Sequence, residues 1–71
     1  MSTTLTNEEK SGIISQHIKN VEYSLYNLNL SLLEENAVSS PDADKISSLN
    51  DQIDDLNAQK TALESELSNL A

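Results

Sequence analysis

The sequence predicts an all-α fold: an antiparallel two-helix coiled-coil hairpin, assembled into a helical bundle or docked on a larger protein. Three observations carry this expectation. A single Gly (Gly12) and a single Pro (Pro41) punctuate 71 residues. Two long stretches repeat apolar residues at alternating steps of three and four, the a/d signature of a heptad seam. The two seams also stay in phase when the chain is folded back about residues 38 and 39.

The elements follow in chain order. Thr6 followed by Glu9 forms a capping box, and Glu8 and Glu9 suit the positive end of a helix dipole. Helix 1 is predicted over 7–36, with Ile14, Ile18, Val21, Leu25, Leu28 and Leu32 on its seam. A turn is predicted over 37–40, where Ala37-Val38-Ser39-Ser40 interrupts the pattern. Ser40 then serves as N-cap with Pro41 at the first helical position. Helix 2 is predicted over 41–70, with Ile46, Leu49, Ile53, Leu56, Lys60, Leu63, Leu67 and Leu70 on its seam. Two helices joined by so short a link pack antiparallel, and each would be about 45 Å long at 1.5 Å per residue. The whole chain, 1–71, is one such unit.

Folding at 38/39 sets Leu32 against Ile46, Leu28 against Leu49, Leu25 against Ile53, Val21 against Leu56 and Ile14 against Leu63. Each pair of residue numbers sums to 77 or 78, so the register holds along the hairpin. Lys60 would face Ile18, its methylenes packed and its ammonium reaching water or Glu22. Lys10 would approach Glu66 as a flanking ion pair. Asn7 and Ser11 would stand opposite Leu70 and Leu67, which predicts a looser open end. The Ile-at-a, Leu-at-d pattern of helix 2 also suits a parallel dimer with the hairpin opened.

Helix 1 carries a second apolar stripe. Tyr23, Tyr26, Leu30, Leu33 and Ala37 recur at the same spacing, about 150° around the helix from the Leu25–Leu28–Leu32 seam at about 100° per residue. Helix 2 has no counterpart: Ser47, Ser48, Asp51, Asp54, Asp55, Thr61 and Ser65 line its back, relieved only by Ala58 and Ala62. A helix that is apolar on two sides lies between two neighbours. Helix 2 is one of them. The second is expected to be another protein chain, so these five residues form the candidate interaction surface.

Composition narrows the class of partner. A chain this short rarely sustains a core without disulfides, metal or oligomerisation, and it has no Cys. The formal net charge is −8, from 12 acidic residues against four basic ones. That balance opposes binding to nucleic acid, which needs a cationic stripe to release counterions, and to anionic membranes. It suits basic protein surfaces. No apolar run reaches the length of a membrane-spanning helix, and Met1–Lys10 lacks the basic and apolar blocks of a secretory signal. The expected partners are further copies of the chain, as a homo-oligomer, or a larger structural protein, with no nucleic acid and no membrane.

Catalytic chemistry finds no footing. The one histidine, His17, sits beside the seam with Gln59 as its expected neighbour, with no cysteine or elbow serine to activate, and an isolated Gly12 cannot cradle phosphate. Glu34, Glu35, Asp42 and Asp44 gather at the turn. Yet Asp42-Ala43-Asp44-Lys45-Ile46 lacks the glycine and later glutamate of a calcium loop. No catalytic residue, metal ligand or cofactor is expected, and the chain is not expected to be an enzyme. Glu34 and Glu35 sit at the unfavourable end of helix 1, so something nearby should offset them.

The strings Thr6-Asn7-Glu8-Glu9-Lys10, Ile18-Lys19-Asn20-Val21-Glu22-Tyr23, Asn29-Leu30-Ser31-Leu32-Leu33-Glu34-Glu35-Asn36 and Ser39-Ser40-Pro41-Asp42 resemble small uncharacterised helical-hairpin proteins of tailed phages of marine cyanobacteria. The resemblance spans nearly the whole chain. It implies a setting, the virion or the host cytoplasm, and a structural or assembly role, with no binding residues to carry over. The alternative expectation is an acidic regulatory or inhibitory binder of a basic host-protein surface.

Overall fold

A computed structural model describes residues 4–70; Met1–Thr3 and Ala71, which belong to the expected 1–71 unit and its N-terminal segment, lie outside them. The described chain is two helices, α1 (Asn7–Ala37) and α2 (Ala43–Asn69), packed against each other along their length. It measures 55 × 22 × 14 Å, longer than either helix because the turn and the Thr4–Thr6 approach extend it. The fold is the all-α hairpin that the heptads predict. An opened, parallel arrangement is not what the chain adopts.

Helix α1 begins where the capping box places it. Thr6 Oγ1 accepts from the Glu9 N–H at 3.1 Å, and Glu9 Oε1 accepts from the Thr6 N–H at 3.0 Å. Two otherwise unpaired donors of the first turn are satisfied reciprocally. The helix ends as Val38 turns extended, with φ −78° and ψ 161°. Near that end the Asn36 side-chain amide also donates to the Leu32 carbonyl, one turn back, at 3.0 Å.

The start of α2 differs from the expected one. Ser40 does not cap it and Pro41 is not its first residue. Asp42 is the N-cap, its Oδ1 accepting from the N–H groups of Asp44 at 3.0 Å and Lys45 at 3.2 Å. The turn accordingly spans residues 38–42 rather than 37–40, and α2 starts at Ala43 rather than at 41. An aspartate and a serine cap about equally well. Asp42 gains a further contact unavailable to Ser40: its own N–H donates to Glu35 Oε2 of α1 at 3.0 Å.

That contact also accounts for one of the two carboxylates at the end of α1, Glu35. In an antiparallel hairpin the negative end of one helix lies beside the positive end of the next. Glu35 leans across this gap, accepting from the Asp42 N–H and pairing with Lys45 Nζ at 3.2 Å, with its side chain only 13% exposed. A charge unfavourable to α1 thus caps α2. At the open end the relation is mirrored: Asn7 Nδ2 donates to the Leu70 carbonyl at 3.2 Å. Both bridging pairs, Asn7 with Leu70 and Glu35 with Asp42, sum to 77, so the register is unslipped from one end to the other. The Lys10–Glu66 ion pair is absent among the described residues, where the three bridges are Lys19–Glu22, Lys45–Glu35 and Lys60–Glu22. An exposed pair gains too little to hold two long side chains, and the Asn7 amide closes that end instead.

The seam is thin. Val21 (9% exposed) and Leu49 (7%) are the only buried residues among the described ones, and no side chain among them is fully enclosed. Ile14, Ile18, Leu25, Leu28, Leu32, Ile46, Ile53, Leu56 and Leu63 are half-buried, as are Leu67 and Leu70 at the open end. Lys60 lies on the seam with its ammonium 3.4 Å from Glu22 Oε2, the snorkelling geometry expected of it.

Two carboxylates that accept from backbone N–H groups, Glu9 and Glu35, make stability depend on acid. The Thr6 backbone N–H, and then its hydroxyl, hold Glu9 below the usual carboxylate range. The Asp42 N–H, and then Lys45, do the same for Glu35. A carboxyl depressed in the folded state stabilises above its unfolded pKa and stops doing so as pH falls through the folded value. Glu35→Gln is therefore expected to melt below the native chain at pH 7, with the gap closing once pH drops well under 4.5. Paired thermal scans by circular dichroism check this, and a gap independent of pH would contradict the assigned cause.

Candidate interaction face

The five residues singled out on the far side of helix 1 lie together on α1, away from α2. Tyr23 is 63% exposed, Tyr26 66%, Leu30 38% and Leu33 66%, and Ala37 is exposed as well. Leucines at two azimuths of one helix thus meet opposite fates. Leu25, Leu28 and Leu32 turn toward α2, whereas Leu33 keeps two-thirds of its surface in water. The back of α2 offers no such face, since Ser47, Ser48, Asp51, Asp54, Asp55, Ala58, Thr61, Ala62 and Ser65 are all exposed.

The amount of open surface is itself informative. The chain presents 5267 Å² to solvent. A compact monomer of 7.8 kDa would present about 4,400 Å². The excess, about 900 Å², is comparable to the ~800 Å² that each partner gives up in an interface of standard size.

Sequence reasoning missed part of this face. Lys19 stands four residues before Tyr23 and so continues the same ridge toward the N-terminus; extending the three–four stepping by one more residue finds it. Its Nζ lies 4.0 Å from Glu22 Oε1 and its side chain is 58% exposed. Leu5 (41%), Ile13 (49%) and Val38 (51%) are exposed apolar residues off the ridge that no periodicity marks.

The chemistry of the remaining polar groups is that of caps and surface charges. His17 and Gln59 are exposed. At the turn, Glu35 and Asp42 spend their oxygens on backbone N–H groups and Lys45. Among the described residues there is no concave pocket, no group of three or more His, Asp or Glu placed to share a cation, and no helix long and apolar enough to cross a membrane. No family model matches the chain, and neither a curated protein nor a solved structure matches it. What the fold and this face define is a class of shape: a slender helical hairpin with one side left apolar.

Proposed function

We propose that the chain is a non-enzymatic interaction protein that assembles through the Tyr23–Tyr26–Leu30–Leu33–Ala37 ridge of α1, as a small structural or assembly component of a phage particle. The single observation that carries the reading is the exposure of two tyrosines and a leucine in one ordered row. Scattered apolar residues are normal on any surface, whereas an aligned apolar face marks a contact site. Tyrosine suits such a face, because its ring buries area while its hydroxyl finds a polar partner. The phage setting rests on the resemblance of the sequence, and it places the protein in the virion or the host cytoplasm.

The test is chemical footprinting. Tetranitromethane is expected to nitrate Tyr23 and Tyr26 rapidly in dilute isolated protein. In purified particles, or in concentrated protein, both rings are expected to be shielded severalfold. Equal reactivity in every state would remove the ridge from the interface, and absence of the chain from washed particles would remove the virion role.

A second reading draws on charge. Helix α2 carries six carboxylates, Asp44, Asp51, Asp54, Asp55, Glu64 and Glu66, against Lys45 and Lys60, and most of them face outward. That face would suit a basic surface on a host protein, with the chain acting as a regulatory or inhibitory binder. Binding of this kind weakens steeply with salt, whereas assembly through the ridge does not.

A further inference from the structure

We infer that the ridge is covered by the ridge of a second copy of this chain, the two α1 helices running antiparallel about a two-fold axis. The inference rests on the interaction role proposed above and adds the occupant and its register. Three features favour a second copy: the pattern of the ridge, its charges, and the surface left over.

The ridge is complementary to itself. Tyr23, Leu30 and Ala37 form one row along α1, and Lys19, Tyr26 and Leu33 the other. In antiparallel coiled packing each row faces the opposite row of the partner. One register, with facing residue numbers summing to 56, does this without a gap. Tyr23 then meets Leu33 of the second copy, Tyr26 meets Leu30, and Lys19 meets Ala37. Every ring packs on a leucine, and the two-fold axis makes each contact occur twice.

The charges agree with this register. Between residues 19 and 37, Glu35 is matched by Lys45, and Glu22 lies 3.4 Å from Lys60 and 4.0 Å from Lys19. Glu34 has no cation in these bridges, and Lys19, in the longest of them, keeps its side chain 58% exposed. The register brings Lys19 to the C-terminal turn of the other α1, beside Glu34, at a helix end that has no basic residue of its own. Flanking the ridge, Glu22 faces Asn36, Glu34 faces Asn20, and Asn27 and Asn29 face their own counterparts. No like charges are opposed. A parallel pairing would instead stack Lys19 on Lys19, at a cost. Docking through α2 would oppose two faces of six carboxylates and two lysines each.

The leftover surface fits in size: the hairpin's excess of about 900 Å² is near what one partner contributes to a standard interface. Because ridge and seam are nearly opposite on α1, the four helices would lie almost in a row, α2–α1–α1–α2, with the acidic helices outermost.

Sedimentation equilibrium and a single spin label test this on the full chain, which has no native Cys to interfere. The native protein is expected to sediment at twice its 7.8 kDa mass once its concentration reaches about 0.1 mM. A nitroxide on Gln16→Cys is expected to lie about 36 Å from its mate, against about 10 Å in a parallel pair. Lys19→Glu is expected to weaken association about tenfold, and adding Glu34→Lys to restore most of it. Circular dichroism confirms that these exposed substitutions leave the hairpin folded. A monomer at every concentration, a short label distance, or no rescue by the double swap each overturns the inference while leaving the ridge free to bind another protein. A dimer indifferent to Tyr26→Ala with Leu30→Ala would sink the ridge as well.

Discussion

Leu49→Ala is expected to remove most of the hairpin's stability, seen in dilute solution as a large fall in the thermal midpoint of the helical circular dichroism signal. Leu49 is the most buried residue of the hairpin, 7% exposed, and it faces the α1 seam near Leu28. Truncating a buried leucine typically costs about 2–5 kcal/mol. The seam is narrow and open at its edges, so water enters the space and the lower half of that range applies. A domain of this size seldom holds more than about 3–5 kcal/mol in reserve. The loss therefore consumes most of the stability. Leu33→Ala is the control: it removes the same atoms from a side chain already 66% exposed, on the opposite face. Alanine is the better helix former, so at dilution this variant should be as helical as the native chain. If Leu49→Ala and Leu33→Ala behave alike, the division of α1 into a covered and an uncovered side is mistaken.

The seam was legible because its information is redundant. Fourteen positions repeat one period, and a slip of register would have disturbed all of them at once. The bridges Asn7–Leu70 and Glu35–Asp42 close the hairpin in the register that the leucine pairs anticipate. Thr6 and Glu9 were legible for a similar reason, since a capping box is a local motif whose partners lie three residues apart. Lys60 could be placed too: an amine at an a position has only its flanks to reach, and Glu22 stands on one of them.

The turn was not legible in the same way, and the cause is physical. Ser40 and Asp42 have nearly equal capping strength, so the choice between them is made by something outside the local sequence. That factor is Glu35, seven residues earlier, whose carboxylate needs the Asp42 N–H free to point back at α1. No local rule contains this contact, because it exists only once the hairpin has closed. The same contact removes the anomaly for Glu35, one of the two glutamates at the end of the helix. Lys10 and Glu66 illustrate the reverse error, a pairing inferred from register alone. Proximity along a coiled coil is necessary for an ion pair, but an exposed pair gains only about 0–1 kcal/mol and is easily left unformed.

The face of α1 turned from α2 was legible as a pattern, and what covers it is a question of energy. Tyr26→Ala combined with Leu30→Ala is expected to abolish assembly while leaving the isolated hairpin folded. Both side chains lie off the seam, at 66% and 38% exposure, so their removal takes nothing from the contact between α1 and α2. Burying a side chain of this size against a partner contributes on the order of 1.5–3 kcal/mol, and in a symmetric pair each substitution counts twice. Even at half that yield the association constant should fall at least about a hundredfold, since each 1.4 kcal/mol is a factor of ten. Light scattering should then report a single chain of 7.8 kDa at concentrations where the native protein is assembled. The far-ultraviolet spectrum should still show two helices. Separating the two readouts matters, because a general loss of structure would abolish assembly trivially. A variant that is folded yet assembles as before would mean that these rings and leucines face water in the working protein.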